Sequence, residues 1–108
     1  MTSIEKMTPM PQPAHVKKLK KKAIEVAGLL RLLSHPNRLL ISCDLTAGEK
    51  SVSEIESNTG VMQPHLSREL ARLREAGLIK ARRKSKNVYY RIADKRLVSL
   101  IDALCDAF

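Results

Sequence analysis

The sequence predicts a mainly α-helical domain with one β-hairpin, in the element order α-α-α-α-β-β-α. Apolar residues recur at helical spacing along most of the chain, and capping signals divide this pattern into separate helices. After Leu78 the pattern changes to two short β-prone runs around a polar turn, which predicts the hairpin. A domain of 108 residues buries little apolar surface by itself, so we expect partner chains.

The beginning of the chain differs from the rest in composition. Residues 1–13 contain three prolines and few packing residues, which is typical of a disordered arm. We therefore expect the folded domain to span residues 14–108. Because the sequence has no apolar run of about 18 residues and no cleavable signal, we expect no membrane association and a cytoplasmic location.

The first two predicted helices meet at a short corner. Helical spacing of apolar residues predicts a helix over residues 14–33, and the five lysines between Lys17 and Lys22 are interpreted as its solvated face. Ser34 can cap the following helix and Pro36 suits its first turn. That second helix is expected to stop near Gly48.

Two further helices follow, joined by a turn of three residues. The spacing of Ser51 and Glu54 is that of a capping box, and Gly60 suits a left-handed helix end. Pro64 can occupy the first turn of the next helix, with Gly77 as its C-terminal cap. Two short helices joined this tightly form a helix-turn-helix, and the sequence leaves open a short extra strand before them. The second of these helices has the apolar stripe Leu66, Leu70 and Leu73.

The last part of the chain completes the predicted fold. The β-prone runs Leu78–Arg83 and Val88–Ile92 flank a polar turn, so the hairpin has a positively charged tip. Residues 94–108 carry an apolar stripe wider than a small domain needs for its own core, and we expect this helix to pair with a partner subunit. The fold class is therefore mainly α with a β-hairpin wing, a winged helix-turn-helix.

The charge of the chain points to a polyanionic partner. Twenty Lys and Arg against eleven Asp and Glu give a formal net charge of +9. Aromatic residues make up only 3 % of the chain and Trp is absent, which argues against the stacking platforms that bind single strands. Double-stranded DNA is therefore the expected partner.

The second helix of the helix-turn-helix, near residues 63–76, is the candidate DNA-reading element. The N-terminal part of such a helix reaches base edges in the major groove, where Arg68 can pair with guanine and Gln63 with adenine. The alternative is an ordinary amphipathic helix whose polar residues are solvated, but the preceding helix and turn favour DNA reading. Its candidate contact residues are Gln63, His65, Ser67, Arg68 and Arg72.

The hairpin, near residues 78–92, is the candidate wing. A cluster of like charges repels itself unless phosphates neutralise it, so we interpret its cations as backbone or minor-groove contacts. The alternative is a solvated hairpin that only aids solubility. The cations are Arg82, Arg83, Lys84 and Lys86.

Catalytic and metal-binding patterns are missing from the sequence. His15, His35 and His65 are not paired at metal-ligand spacing, and the two cysteines, Cys43 and Cys105, have no nearby His in the sequence. Neither a set of nucleophile, base and acid nor a phosphate-binding glycine loop is present. We expect a protein that is not an enzyme, with no cofactor and no bound metal.

Two segments carry a family resemblance that covers the chain from about residue 20 to its end. The segments Ser34-His35-Pro36-Asn37-Arg38-Leu39 and 61–79 closely resemble the ArsR-type (ArsR/SmtB) winged-helix repressors. The resemblance implies a homodimer joined through the first and last helices, in which each protomer presents one reading helix and one wing to a palindromic operator. The metal-sensing members carry Cys-x-Cys before the reading helix or His and acidic ligands on the last helix. Residues 51–56 lack Cys and the last helix lacks His.

The two cysteines resemble those of one branch of this family. Cys43 lies where the sulfide- and oxidant-responsive members, the BigR-like and SqrR-like branch, keep one reactive cysteine. Cys105 lies near the end of the last helix, about one turn before the position of their second cysteine. The resemblance implies operator binding controlled by thiol oxidation or persulfidation, with a reactive sulfur species or an oxidant as inducer. The shift leaves open whether the bridge is a direct disulfide or a longer sulfur chain.

Two other functions remain open from the sequence. Free cysteine often packs as a small buried hydrophobe, so Cys43 and Cys105 can instead be structural. The chain would then be a constitutive repressor or one that responds to another ligand. A third hypothesis is an adaptor that uses the winged helix and the apolar last helix to bind a partner protein.

Overall fold

The structure is a computed structural model that describes residues 13–108. Its elements follow the predicted order, with one helix more than expected and a short additional strand, so the predicted fold class is confirmed. The predicted arm over residues 1–13 lies outside the described residues, apart from Pro13. The elements are α1 (Pro13–Lys20), α2 (Ala23–Leu33), α3 (Pro36–Leu45), β1 (Lys50–Ser51), α4 (Val52–Thr59), α5 (His65–Glu75), β2 (Ile79–Lys84), β3 (Asn87–Ile92) and α6 (Lys95–Ala107).

The chain divides into two compact units, one that ends at Arg31 and one that spans Leu32–Phe108. In the first unit, the single helix predicted over residues 14–33 is interrupted after α1. Lys22 N donates to Leu19 O at 2.9 Å, which is the tighter three-residue pattern, before α2 begins. Lys21 and Lys22 lie in this turn, and lysines three and four positions apart repel each other on a continuous helix.

The corner before α3 is capped by His35 and not by Ser34, so that expectation was wrong. His35 has an extended backbone, and its Nδ1 accepts a hydrogen bond from Asn37 N at 3.1 Å. Pro36 occupies the first turn as predicted, where its missing N–H costs nothing. The helix ends at Leu45, three residues before Gly48.

Most of the helix caps that the sequence predicts for the helix-turn-helix are present in the structure. Glu54 N donates to Ser51 Oγ at 3.2 Å and Ser51 N donates to Glu54 Oε1 at 2.8 Å, which completes the capping box. Gly77 has a φ of 78° just after α5, and the adjacent Leu78 N donates to Leu73 O at 3.1 Å, which closes a Schellman motif. Pro64 differs from the prediction, because it is the N-cap of α5 and not part of its first turn.

The wing is the hairpin of strands β2 and β3, which belongs to a three-stranded antiparallel sheet with the order β1-β3-β2. Strands β2 and β3 pair from Ile79 opposite Ile92 to Lys84 opposite Asn87. The short strand β1, whose presence the sequence left open, adds Lys50 opposite Tyr90. The sheet therefore connects the start of α4 to the middle of the hairpin.

The hydrophobic core lies in the second unit, where α3 contacts α4, α5, α6 and β3. Because the apolar stripe of α5 is buried in this core, the opposite face of the helix is directed to solvent. No helix of the described residues is long and apolar enough to cross a bilayer. The buried apolar side chains are Leu33, Ile41, Leu45, Ile55, Val61, Leu66, Leu70, Leu73, Leu78, Ile79, Leu97 and Ile101.

Candidate nucleic-acid interface

Helix α5 presents a polar face to solvent because its three leucines are buried on the other side. The exposed residues include four of the five predicted contacts, His65, Ser67, Arg68 and Arg72, and the fifth, Gln63, is exposed in the turn before the helix. Arg68 Nη2 and His65 Nδ1 form a hydrogen bond on this face. Since a guanidinium has five N–H donors, Arg68 keeps donors that can reach a base edge.

Gln63 has a local structural role that the sequence analysis missed. Its Oε1 accepts hydrogen bonds from Ser67 N at 3.0 Å and from Ser67 Oγ at 2.7 Å. Gln63 thereby supplies an acceptor for an amide in the first turn of α5. The N-cap residue of this helix, Pro64, makes no such bond because its side chain has no acceptor. A bidentate contact with adenine needs both the amide oxygen and the amide nitrogen, so Gln63 cannot make it in this conformation.

One acidic side chain of α5, Glu69, lies on the buried side of the helix. Arg38 Nη1 donates to Glu69 Oε1 at 2.7 Å, and His35 Nε2 lies 3.8 Å from Oε2. Arg38 Nε also donates to Leu32 O at 2.6 Å. Burial favours the neutral carboxyl, but the hydrogen bond and charge of Arg38, helped by His35 and Arg68, outweigh it and lower the pKa of Glu69.

An open cleft of about 580 Å³ lies between the start of α3 and the polar face of α5. Its only acid is Glu69, which is already paired with Arg38. The cleft is therefore lined by more positive than negative charge, directly beside the candidate reading residues. It is lined by His35, Asn37, Arg38, His65, Arg68, Glu69 and Arg72.

Of the four cations of the wing that are predicted to contact DNA, only Arg82 is paired with an acid within the described residues. Arg82 Nε and Nη2 lie 2.8 Å from the two carboxylate oxygens of Glu49, and its guanidinium lies 5.3 Å from the centre of the Tyr89 ring. The hydrogen bonds that Arg82 donates to Glu49 raise the pKa of Arg82 and lower the pKa of Glu49. The remaining predicted cations, Arg83, Lys84 and Lys86, are exposed near the tip of the hairpin.

Cys43 and Cys105, which are 62 positions apart in the sequence, line the same apolar groove of about 440 Å³. Both cysteines are exposed in the described chain. Partial burial raises the pKa of the Cys43 thiol, and the neighbouring Cys105 raises it further, followed by Asp44. The other residues of the groove, from α3, α6 and the C-terminus, are Leu39, Leu40, Ile101, Leu104 and Phe108.

Within residues 13–108, no three His, Cys, Asp or Glu side chains are grouped so that they could hold a metal ion.

Known proteins resemble the chain over most of its length. Residues 35–81 match the family model described as bacterial regulatory protein, arsR family. A biofilm growth-associated repressor of Agrobacterium fabrum is 42 % identical over 106 residues, which cover 94 % of this chain and 91 % of that protein. The identity and the coverage both confirm the family resemblance inferred from the sequence.

Solved structures agree with this relationship. The transcriptional repressor BigR from Xylella fastidiosa is 43 % identical, with a TM-score of 0.83 over 85 % of this chain and 94 % of that one. The homodimeric winged helix-turn-helix DNA-binding domain Mb0332 from Mycobacterium bovis has a TM-score of 0.67 at 28 % identity, over 94 % of this chain and 88 % of that one. The chain therefore belongs to the arsR family of bacterial regulatory proteins, and it is a winged-helix transcriptional regulator rather than an enzyme.

Proposed function

We propose that this chain is a homodimeric transcriptional repressor that binds a palindromic operator in double-stranded DNA, and that oxidation or persulfidation of Cys43 and Cys105 controls this binding. The DNA-binding part rests on one observation, the exposed polar face of α5 beside a basic wing. It is supported by the relatives, since those from Agrobacterium and Xylella are described as repressors and that from Mycobacterium as a homodimeric DNA-binding domain.

In this proposal the N-terminal half of α5 enters the major groove. His65, Ser67 and Arg68 reach base edges, and a bidentate contact from Arg68 to guanine provides discrimination between bases. Arg83, Lys84 and Lys86 bind phosphates beside the groove, which increases affinity for every sequence without selecting among them.

Dimerisation is supported by apolar side chains that the described chain leaves uncovered. Ile24 of α2 is 91 % exposed, and Phe108 at the end of α6 is fully exposed. Half-exposed apolar residues also occur on α1, at Val16 and Leu19. A second copy of the chain that packs against the first and last helices would bury these groups.

The control of DNA binding is assigned to the thiols because Cys43 and Cys105 are exposed and line one groove. Hydrogen peroxide would oxidise the pair to a disulfide, in which the two thiols lose two electrons and two protons and the peroxide is reduced to two waters. With hydrogen disulfide, H₂S₂, each thiol would gain one sulfur and release H₂S. The two persulfides would then condense to a trisulfide with loss of a further H₂S. The alternative of purely structural cysteines is weakened by their exposure.

A bridge between these thiols would affect the reading helix through α3. Cys43 and Arg38 lie on the same helix, and Arg38 is the ion-pair partner of Glu69 on α5. Drawing α3 towards α6 at Cys43 would therefore displace the residue that anchors α5. Helix α6 also contributes to the proposed dimer, so the spacing of the two reading helices would change as well.

Selection of duplexes from a randomised pool tests the DNA-binding part. We expect a palindromic consensus, and native mass spectrometry of the selected complex should give two chains per duplex. Failure to enrich any sequence, or a single chain on a site without symmetry, would contradict the proposal. An adaptor that binds only a protein partner would also fail to enrich a duplex.

Treatment of the reduced protein with polysulfide, followed by intact mass and DNA titration, tests the thiol part. The wild type should gain bridging sulfur, lose two hydrogens and release the selected duplex. Cys43→Ser and Cys105→Ser variants should stay bound. If both variants release DNA as the wild type does, the cysteines are not the sensor and a constitutive or differently regulated repressor is favoured.

A further inference from the structure

The cleft between α3 and α5 is lined by side chains from the start of α3 as well as by those of the reading helix. Arg38 and Glu69 neutralise each other, and His35 Nδ1 is used as the cap of α3. Because Nδ1 accepts a hydrogen bond there, a neutral His35 carries its proton on Nε2, which faces Glu69. Arg38 and Glu69 therefore satisfy each other, and His35 lies beside this pair in the lining of the cleft.

The remaining side chains of the cleft are donors of hydrogen bonds without acidic partners. Within residues 13–108, Arg72 makes no ion pair, and the one side-chain hydrogen bond of Arg68 is to the ring of His65, although its charge also acts on Glu69. The side-chain amide of Asn37 likewise has no hydrogen-bond partner in that part of the chain, although its backbone N–H is bound by His35. The cleft thus combines two guanidinium groups and one amide, which together match an anionic oxygen ligand.

We propose that this cleft binds a phosphate of the DNA backbone, with Asn37 as a contact from α3 outside both the reading helix and the wing. The inference rests on the proposed function, because it requires a duplex seated on α5. Phosphates flank the major groove on both sides, so a helix inserted in the groove brings them against the adjacent protein surface. Such a contact fixes the orientation of the protein on the duplex and does not depend on sequence.

The variant Asn37→Asp tests this assignment because it separates folding from binding. A carboxylate in the first turn of a helix is normally favourable, so α3 should not be destabilised. The same carboxylate would repel a phosphate in the cleft and would form an ion pair with Arg68 or Arg72. Ala47→Asp is the matched control, since it adds the same charge at an exposed position beyond the other end of α3.

Affinity should be measured on the selected duplex and on a mixed-sequence duplex over a range of salt concentrations. We expect Asn37→Asp to weaken both complexes about tenfold relative to Ala47→Asp, with a salt slope shallower by about 0.9, the value for one phosphate. Asn37→Lys should keep the affinity and steepen the slope. Thermal unfolding of each variant checks that the fold is intact.

Equal affinities of Asn37→Asp and Ala47→Asp, with a wild type that binds the selected duplex, would overturn this inference alone. A wild type that binds no duplex would overturn the proposed function and this inference with it. A third overturning result would come from inorganic phosphate. If it raises the melting temperature of the wild type but not of Asn37→Asp, while both bind DNA equally, the cleft is a site for free anions.

Discussion

Arg38 and Glu69 form an ion pair of 2.7 Å that joins the start of α3 to the buried side of α5. Glu69 is only 5 % exposed, and it lies directly after Arg68 and about one turn before Arg72, the two arginines expected to contact DNA. Since Arg38 also donates to Leu32 O, this pair connects the end of α2, α3 and the reading helix. Its loss would therefore disturb the position of α5.

The variant Glu69→Gln should lower the free energy of unfolding at pH 7 by about 2 kcal/mol, because Arg38 would lose a charged acceptor in a buried place. The pKa of Glu69 is lowered in the folded chain, so its contribution is complete above the unfolded value of about 4.3 and is lost as the pH falls. Denaturant unfolding at pH 7 and at pH 3 should therefore show a smaller difference at pH 3. Glu75→Gln, exposed on the same helix, is the control, and an equal effect of both variants would contradict this role.

The variant Glu49→Gln should increase affinity for any duplex. Glu49 accepts hydrogen bonds from Nε and Nη2 of Arg82 in the free protein, so removal of its charge makes this edge of the guanidinium available to a phosphate. We expect a salt slope steeper by about 0.9, measured by fluorescence anisotropy on a mixed-sequence duplex. The same substitution in an Arg82→Gln background should have little effect. A gain of affinity that persists in that background would show that Arg82 is not the group released.

Arg68→Ala and Lys84→Ala should weaken binding in different ways. The first should cost about 1 to 3 kcal/mol on the selected duplex and relax the preference at one base position. The second should weaken selected and random duplexes by similar factors, because a phosphate contact is independent of sequence. Titrations on both duplexes compare the two variants, and equal losses on both duplexes for Arg68→Ala would refute its role as a base contact.

The reactivity of Cys43 should increase with pH beyond the neutral range. Its pKa is raised by partial burial and by Cys105, so the thiolate that reacts with alkylating agents is a small fraction at pH 7. In a Cys105→Ser variant the alkylation rate should still be rising at about pH 8.5, the ordinary pKa of a free thiol. A rate that reaches its plateau below pH 7 would indicate an activated thiolate and contradict the raised pKa.

Features that depend on neighbouring residues could be predicted from the sequence. The Ser51 and Glu54 capping box and the glycines at positions 60 and 77 depend on spacings of a few residues, and the leucine stripe of α5 follows from helical periodicity. The hydrogen bonds between Gln63 and Ser67 also depend on a local spacing, of four residues. The sequence predicts these two residues only as separate DNA contacts.

Features that depend on tertiary structure could not be predicted in the same way. Glu69 follows Leu66 by three positions, so its place on the apolar face could be read from the helical period, but its partner Arg38 lies 31 residues away. Likewise, Glu49 meets Arg82 across 33 residues because of the sheet register. For the same reason, the sequence placed Arg82 among the DNA contacts without any sign that its charge is already paired.

The central claim is that two copies of this chain grip duplex DNA through α5 and the wing. Equilibrium titration of the selected duplex and a scrambled duplex, over a range of salt concentrations, tests it most directly. We expect the selected duplex to bind at least about a thousandfold more tightly, with both association constants falling linearly on a log-log plot against salt. Equal affinity for the two duplexes, or binding that does not respond to salt, would contradict the account.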